Sequence, residues 1–315
     1  MTRAVVATAF GGPEVLSIVE IDVPQPGPGQ VLVDVRAAGV NPIDYKVYSG
    51  AFGTDPASLP MRLGFEAAGV VVATGPDAVG PAGRVSVGDE VILFRVSGAY
   101  ADRVLVPAAS VVPKPAALSW EAAAGLMLVG ATAVHTLTAT GVGAGDTVLI
   151  HGGAGAVGMA AVQLARAGGA RVIATASPAR HDLVRSLGAE PVAYGEGLEQ
   201  RVRALAPQGI DAAIDTVGTD EALDTSVALV ADRGRIATIA GFGRGAELGV
   251  RLLGGGPGAD AGTEIRDAAR LTLVQHVTDG TLVVPVAATY PLADVRAAHE
   301  AAASGHAPGK IALVP

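Results

Sequence analysis

Residues 151–158 read His-Gly-Gly-Ala-Gly-Ala-Val-Gly, and within them Gly153, Gly155 and Gly158 make the pattern G-x-G-x-x-G. Each glycine has a separate physical task. The first permits a tight turn, the second lets a pyrophosphate approach the backbone, and the third lets the next helix pack on its strand. Ala156 and Val157 then open a helix whose free N–H groups and dipole favour an anion. In a chain with 43 glycines the pattern alone is weak, and the alternative is a plain structural turn. Its surroundings favour dinucleotide binding: a β-rich run at 147–151, a helical stretch at 156–167 and a further β run at 171–176.

The end of that second run reads Ala174-Thr175-Ala176-Ser177-Pro178-Ala179-Arg180. A site built for NAD ordinarily places Asp or Glu here, on the ribose 2′-hydroxyl. None is present. Ser177 and Arg180, with His181 close by, instead offer a hydroxyl and a cation suited to a 2′-phosphate. The bland alternative is that Arg180 is a solvated residue in a first helical turn. The expected cofactor is NADP(H).

Composition removes several other chemistries. The 315 residues contain no cysteine, so there is no disulfide scaffold, no thiolate nucleophile, no Cys-ligated zinc and no iron–sulfur cluster. The six histidines (135, 151, 181, 276, 299 and 306) show no HExxH-like spacing, and His135 and His299 read as packed or helix-face residues. No metal centre is expected. Lys plus Arg is 22 against 30 for Asp plus Glu, a net charge of −8. A chain this acidic lacks the broad basic face that nucleic acid or an anionic membrane needs, which points to small-molecule partners. No long apolar run suggests a spanning helix. The start, MTRAVVATAFGGPEVL, is broken too early to read as a secretory signal, so the expected compartment is the cytoplasm.

The elements that position these residues change texture along the chain. Short β runs at 31–35, 69–73 and 90–94 are separated by Gly- and Pro-rich turns, which predicts a barrel-like or rolled β domain. Ser119 is a helix N-cap for an Ala-rich stretch. From 146 to 240, strands expected at 147–151, 171–176, 192–194, 212–215 and 235–240 alternate with helices at 156–167, 179–187, 198–206 and 221–230. That alternation predicts a parallel, doubly wound α/β sheet. Residues 248–262 read as a Gly-rich loop, 263–279 as helix, 282–286 as strand, 292–303 as helix and 310–314 as strand. The expected division is 1–118 plus 281–315 for one domain and 119–280 for the dinucleotide-binding domain.

Two further strings carry a resemblance. Residues 41–50 have the form NPxDxKxxxG, and Gly64-Phe65-Glu66-Ala67-Ala68-Gly69-Val70 has the form GxExAGxV. With Val87-Gly88-Asp89-Glu90-Val91, the glycine loop and the terminal Gly309-Lys310-Ile311-Ala312-Leu313, the whole chain resembles the medium-chain dehydrogenase/reductase superfamily. It is most similar to the quinone oxidoreductase branch, which lacks zinc. In the zinc members a Cys begins the segment that here starts at Asn41, and a His stands where Phe65 does.

The resemblance implies a GroES-like β-rich catalytic domain beside the Rossmann domain, with the active cleft between them, and a homodimer. It implies NADPH-dependent reduction of a quinone or an α,β-unsaturated carbonyl. Pathway-specific biosynthetic reduction and NADPH binding without turnover are the alternatives. Position by position, it puts Asn41 and Thr132 near the nicotinamide end and Gly155, Ala156 and Val157 at the pyrophosphate. Ser177 and Arg180 fall at the 2′-phosphate, Tyr194 beside the adenosine phosphate, and Phe242 over the nicotinamide end. Either Tyr45 or Lys46 could donate a proton to, or polarise, the substrate oxygen. The competing reading has Tyr45 packed and Lys46 lying along a helix face. Asp44 either pairs with Lys46 or caps a short helix, and Phe52 lines the substrate cleft or packs.

Overall fold

The computed structural model describes residues 1–305 and 307–315. His306, one of the six histidines considered above, lies outside them. The chain forms two compact units, Met1–Leu128 with Val284–Pro315, and Val129–Val283.

In the first unit, strand Gln30–Val40 is central. It pairs antiparallel with Glu66–Thr74, Arg103–Pro107 and Lys310–Val314. The sheet has seven strands. Its main path runs Val111–Pro113, Glu90–Phe94, Glu66–Thr74, Gln30–Val40, Lys310–Val314, Val286–Pro291. A three-stranded sheet of Leu16–Ile21, Thr2–Ala7 and Met61–Arg62 belongs to the same unit. Val5, Val33, Leu93, Leu313, Tyr48 and Tyr100 lie in one buried apolar cluster. Such burial is the main source of stability.

Two registers matter for function. Ile311 pairs with Val40, which sets Lys310 opposite Asn41, and Ala67 pairs with Ala38, which sets Glu66 opposite Gly39. The short helix Pro42–Tyr48 starts at Asn41, with Pro42 at its first position.

The first unit reaches Leu128, beyond the expected 118. The added helix, Trp120–Ala124, is capped by Ser119, whose hydroxyl accepts from the Ala122 N–H. Its buried Ala122, Ala123 and Ala124 pack on the Gln30–Val40 and Lys310–Val314 strands, which keeps it in this unit. The strand expected at 282–286 is displaced to Val286–Pro291. Pro285 has no N–H to give a ladder, so the strand starts after it, while its carbonyl accepts from the Lys310 N–H.

The second unit is a six-stranded parallel sheet. Its order is Glu190–Val192, Arg171–Thr175, Thr147–His151, Ala212–Asp215, Ile236–Thr238, Arg251–Leu252. The chain leaves Thr147–His151 first toward one edge and later toward the other, so the order reverses there. Doubly wound sheets bind ligands at that point, past the carboxyl ends of the strands. Within the expected loop 248–262, Arg251–Leu252 is the sixth strand, because it pairs with Ile236–Thr238, and Leu253 bridges to Asp260. The helix expected at 179–187 opens as a 3₁₀ turn, Pro178–Arg180, before helix His181–Ser186.

Candidate active site

In the second unit, the glycine loop joins Thr147–His151 to helix Ala156–Ala167. Gly152 turns with φ +80°, a conformation open to glycine. A Cβ on Gly158 would lie 2.1 Å from the Gly152 carbonyl oxygen, and one on Gly153 would lie 2.6 Å from the Ala174 Cβ. The protein's own packing therefore demands both glycines. Gly155 differs. It is the exposed N-cap of the helix with an ordinary φ of −81°, and a Cβ there would meet only the Gly152 oxygen, at 3.3 Å. The fold does not require glycine at 155; a bulky anion approaching the backbone would. No side chain caps this helix, so the N–H groups at its head are open to such an anion.

Ser177 and Tyr194 leave adjacent strand ends, since Thr175 pairs with Val192. The glycine loop is tied to the same edge, Gly153 N–H donating to the Thr175 carbonyl and Gly152 N–H to its hydroxyl at 3.0 Å. Among the described residues the Arg180 guanidinium has neither a hydrogen bond nor an ion pair, and Tyr194 is 59% exposed. His181 bonds the Ala176 carbonyl through Nε2 at 3.3 Å. Phe242 opens helix Phe242–Leu248 beyond Ile236–Thr238, two strands away from the loop strand, and its ring lies against Gly256. Thr132 is buried within helix Met127–Ala139. His151, at the strand end before the loop, is buried and contacts Ser226 Oγ at 3.1 Å. Burial lowers its pKa to about 4, so it stays neutral near pH 7.

In the first unit, the sequence-predicted Asn41 is 1% exposed and sits in a buried polar network. Its Nδ2 donates to Glu66 Oε1 at 2.9 Å, and its Oδ1 accepts from Lys310 Nζ. Lys310 Nζ also donates to Glu66 Oε1 at 2.9 Å and to the Val40 carbonyl at 3.2 Å. The second carboxylate oxygen of Glu66 accepts from the Leu128 N–H at 2.8 Å. The side chains of Glu66 and Lys310 are 0% and 3% exposed. Charges this deep are tolerable only when paired and hydrogen-bonded, as these are.

Asp44 serves as a helix cap, its Oδ2 accepting from the Asn41 N–H at 2.8 Å; it forms no ion pair with Lys46. It is fully buried, and desolvation raises its pKa to about 7 against the opposing pull of the Asn41 N–H, Tyr100 and Lys310. Tyr45 packs half-buried against the core, and burial raises its pKa. Lys46 is half-buried, with no partner for its ammonium among the described residues. Phe52 is 49% exposed. Beneath them, Tyr48 bonds His299 Nδ1 through its hydroxyl at 2.8 Å, and burial lowers the His299 pKa to about 4.

Sequence reasoning quoted Glu66 and Lys310 as parts of motifs without giving either a task. A carboxylate inside an otherwise small and apolar strand, and a cation opening the final strand, were the available signals. His299 and Tyr100 carried none.

Residues 27–116 match the alcohol dehydrogenase GroES-like domain family, and residues 156–255 match the zinc-binding dehydrogenase family. The chain is 32% identical over 334 residues to a quinone oxidoreductase of Pseudomonas aeruginosa, covering 100% of both chains. It is 35% identical over 222 residues to the synaptic vesicle membrane protein VAT-1 homolog of Mus musculus, but spans only 53% of that protein. The mycobacterial Rv1454c protein, solved in complex with NADPH, superposes with a TM-score of 0.85 at 33% identity, with 100% of both chains covered. An NAD-dependent alcohol dehydrogenase superposes with a TM-score of 0.86 at 30% identity, covering 99% of each chain.

The zinc in the second family's description would need a set of ligating side chains. The Asn41 amide is committed to Glu66 and Lys310, and Phe65 has no ligating atom. Among the described residues, no three His, Cys, Asp or Glu side chains converge on a point that could hold a metal. With two matched domains and a full-length quinone oxidoreductase relative, the chain belongs to the medium-chain dehydrogenase/reductase superfamily, in its quinone oxidoreductase branch.

Proposed function

We propose that this chain is an NADPH-dependent, metal-free reductase that transfers hydride to a quinone or an α,β-unsaturated carbonyl. The observation that carries this is the cradle at Gly155, open at the head of an uncapped helix. NADPH, when bound, supplies the hydride. The loop residues Gly153, Gly155, Ala156, Val157 and Gly158 would hold the pyrophosphate through backbone N–H groups. Ser177 and the unpaired Arg180 would take the 2′-phosphate, and Tyr194 would flank it. Thr132, Phe242 and Asn41 would border the nicotinamide end.

Metal-free chemistry is supported by an amide and a phenyl ring standing where zinc members carry ligands. Conjugate reduction fits such a site, because the negative charge spreads to an oxygen that one donor can satisfy. Tyr45 or Lys46 would supply that proton. Burial keeps the Tyr45 phenol protonated across the neutral range, which suits a donor. Small-molecule substrates, a homodimer and the cytoplasm complete the proposal. Among the described residues no helix is long and apolar enough to cross a membrane.

NADPH oxidation with a benzoquinone, a naphthoquinone, an enal and a saturated aldehyde tests this. Turnover is expected with the quinones or the enal. Turnover with the saturated aldehyde alone would overturn it. Tight NADPH binding with no turnover on any of the four would favour a binding protein.

A further inference from the structure

We propose that Lys310 is a positioning residue for the reaction, fixing which end of the Asn41 amide faces which way. The proposal rests on the preceding one only in taking Asn41 to border the reacting end of the cofactor. Asn41 can present its amide in two orientations that fill nearly the same space, exchanging a donor for an acceptor. The neighbours here accept only one. Glu66 Oε1 is an acceptor and takes Nδ2 at 2.9 Å; Lys310 Nζ is a donor and takes Oδ1. Turning the amide over would set its carbonyl against a carboxylate and its NH₂ against an ammonium. Glu66 alone does not lock the group, because Lys310 is also what balances its buried charge, at 2.9 Å.

Lys310 is itself held. Its Nζ bonds the Val40 carbonyl at 3.2 Å. Its stem runs so close to Gly125 that a Cβ there would lie 2.8 Å from the Lys310 Cγ. Gly39 is equally constrained, since a Cβ would fall 2.6 Å from Glu66 Oε1 and 2.4 Å from the Ala124 carbonyl. Backbone from two segments, 39–40 and 124–125, thus closes around three side chains. The ammonium and the carboxylate meet directly, and the amide bonds to both, so the ion pair dictates the amide's orientation.

The test is a double-mutant cycle on the quinone-dependent NADPH oxidation rate, with NADPH affinity measured alongside. Lys310→Met should lower kcat about tenfold or more while NADPH Kd moves less than about threefold, since misplacing one group near the reacting atoms costs rate before binding. Lys310→Arg should restore most of the rate. On an Asn41→Ala background, Lys310→Met should change kcat by less than about twofold, because both would remove the same effect. Losses that multiply instead would overturn the proposal, as would an unchanged kcat in Lys310→Met. If that variant does not fold, the charge-neutral pair Glu66→Gln/Lys310→Met replaces it in the cycle, with the same expectations.

Hydrogen exchange of the Asn41 side-chain amide, followed by NMR, gives a readout independent of turnover. It should be slow in the parent protein and faster in the Lys310→Met or charge-neutral variant. Equal exchange in parent and variant would overturn the proposal. A parent protein inactive on the whole substrate panel would sink the proposed reductase activity while leaving this exchange test in force.

Discussion

The two units prepare for a ligand by opposite means. The second unit works through backbone: a strand, a loop that needs glycine at 152 and 153, and a helix head with no side-chain cap. Its side chains need do little more than stay out of the way. The first unit works through side chains. It buries an ammonium, a carboxylate and an amide in one hydrogen-bonded set, with a second carboxyl beneath the amide. A backbone site is broken by adding atoms. A side-chain site is broken by removing a charge or a donor, and it responds to pH.

The largest expected effect tests that contrast within the loop itself. Gly158→Val should abolish NADPH binding and destabilise the fold, because the first added atom would lie 2.1 Å from a backbone oxygen. Gly155→Ala should leave stability within about 1 kcal/mol yet weaken NADPH binding by about tenfold or more, if the added methyl occupies phosphate space. Thermal melts beside binding titrations separate the two. Equal melting losses for both variants would erase the distinction drawn between these glycines.

The next effect belongs to the first unit alone. The Asp44 pKa rises from 3.8 to about 7 in the folded chain. Below pH 3.8 the carboxyl is protonated folded or unfolded. As pH rises from there to about 7, the unfolded chain releases the proton and the folded chain retains it, so stability falls and then levels off. The change amounts to a few kcal/mol, on the order of the shift itself. Asp44→Asn should remove this falling contribution, so that stability gains more between pH 4 and 7 than in the parent in denaturant titrations run from pH 4 to 8. Within the same window one histidine in each unit acts with the opposite sign. His299 in one and His151 in the other, both lowered from 6.5 to about 4, lose stability as pH falls through that window. A slope unchanged by Asp44→Asn would place the pH dependence elsewhere.

A smaller effect falls on the cofactor's phosphate. Arg180→Ala should weaken NADPH by about tenfold and NADH by much less, the loss expected for one charge-assisted contact. Equal losses would show that Arg180 does not reach the 2′-phosphate. The smallest is structural. Ser119→Ala should cost about 1 kcal/mol, a typical N-cap. Measured by denaturant melts, that loss should appear in the first unit, because the helix it caps packs there.

What could be read in advance follows the same division. The parallel sheet and the glycine loop were legible because their demands are local. Alternating β runs and helices dictate a parallel sheet, and a turn with no room for a Cβ dictates glycine. Strands Thr147–His151, Ala212–Asp215 and Lys310–Val314 and helix Ala156–Ala167 fall where periodicity predicted. The misplaced elements were those where tertiary packing overrode composition. Pro285 delayed one strand, the sheet recruited Arg251–Leu252 from an apparent loop, and an alanine-faced helix stayed with the first unit.

The sequence by itself determined the fold class, the glycine loop and the acid-free strand end before Arg180. Each is a property of a few neighbouring residues. Only the tertiary structure decided that Lys310, far along the chain, meets Asn41 and Glu66, and that Asp44 caps rather than pairs. The reason is register. A strand pairing chooses which distant residues stand opposite one another, and a slip of one residue turns the same side chains to the other face of the sheet.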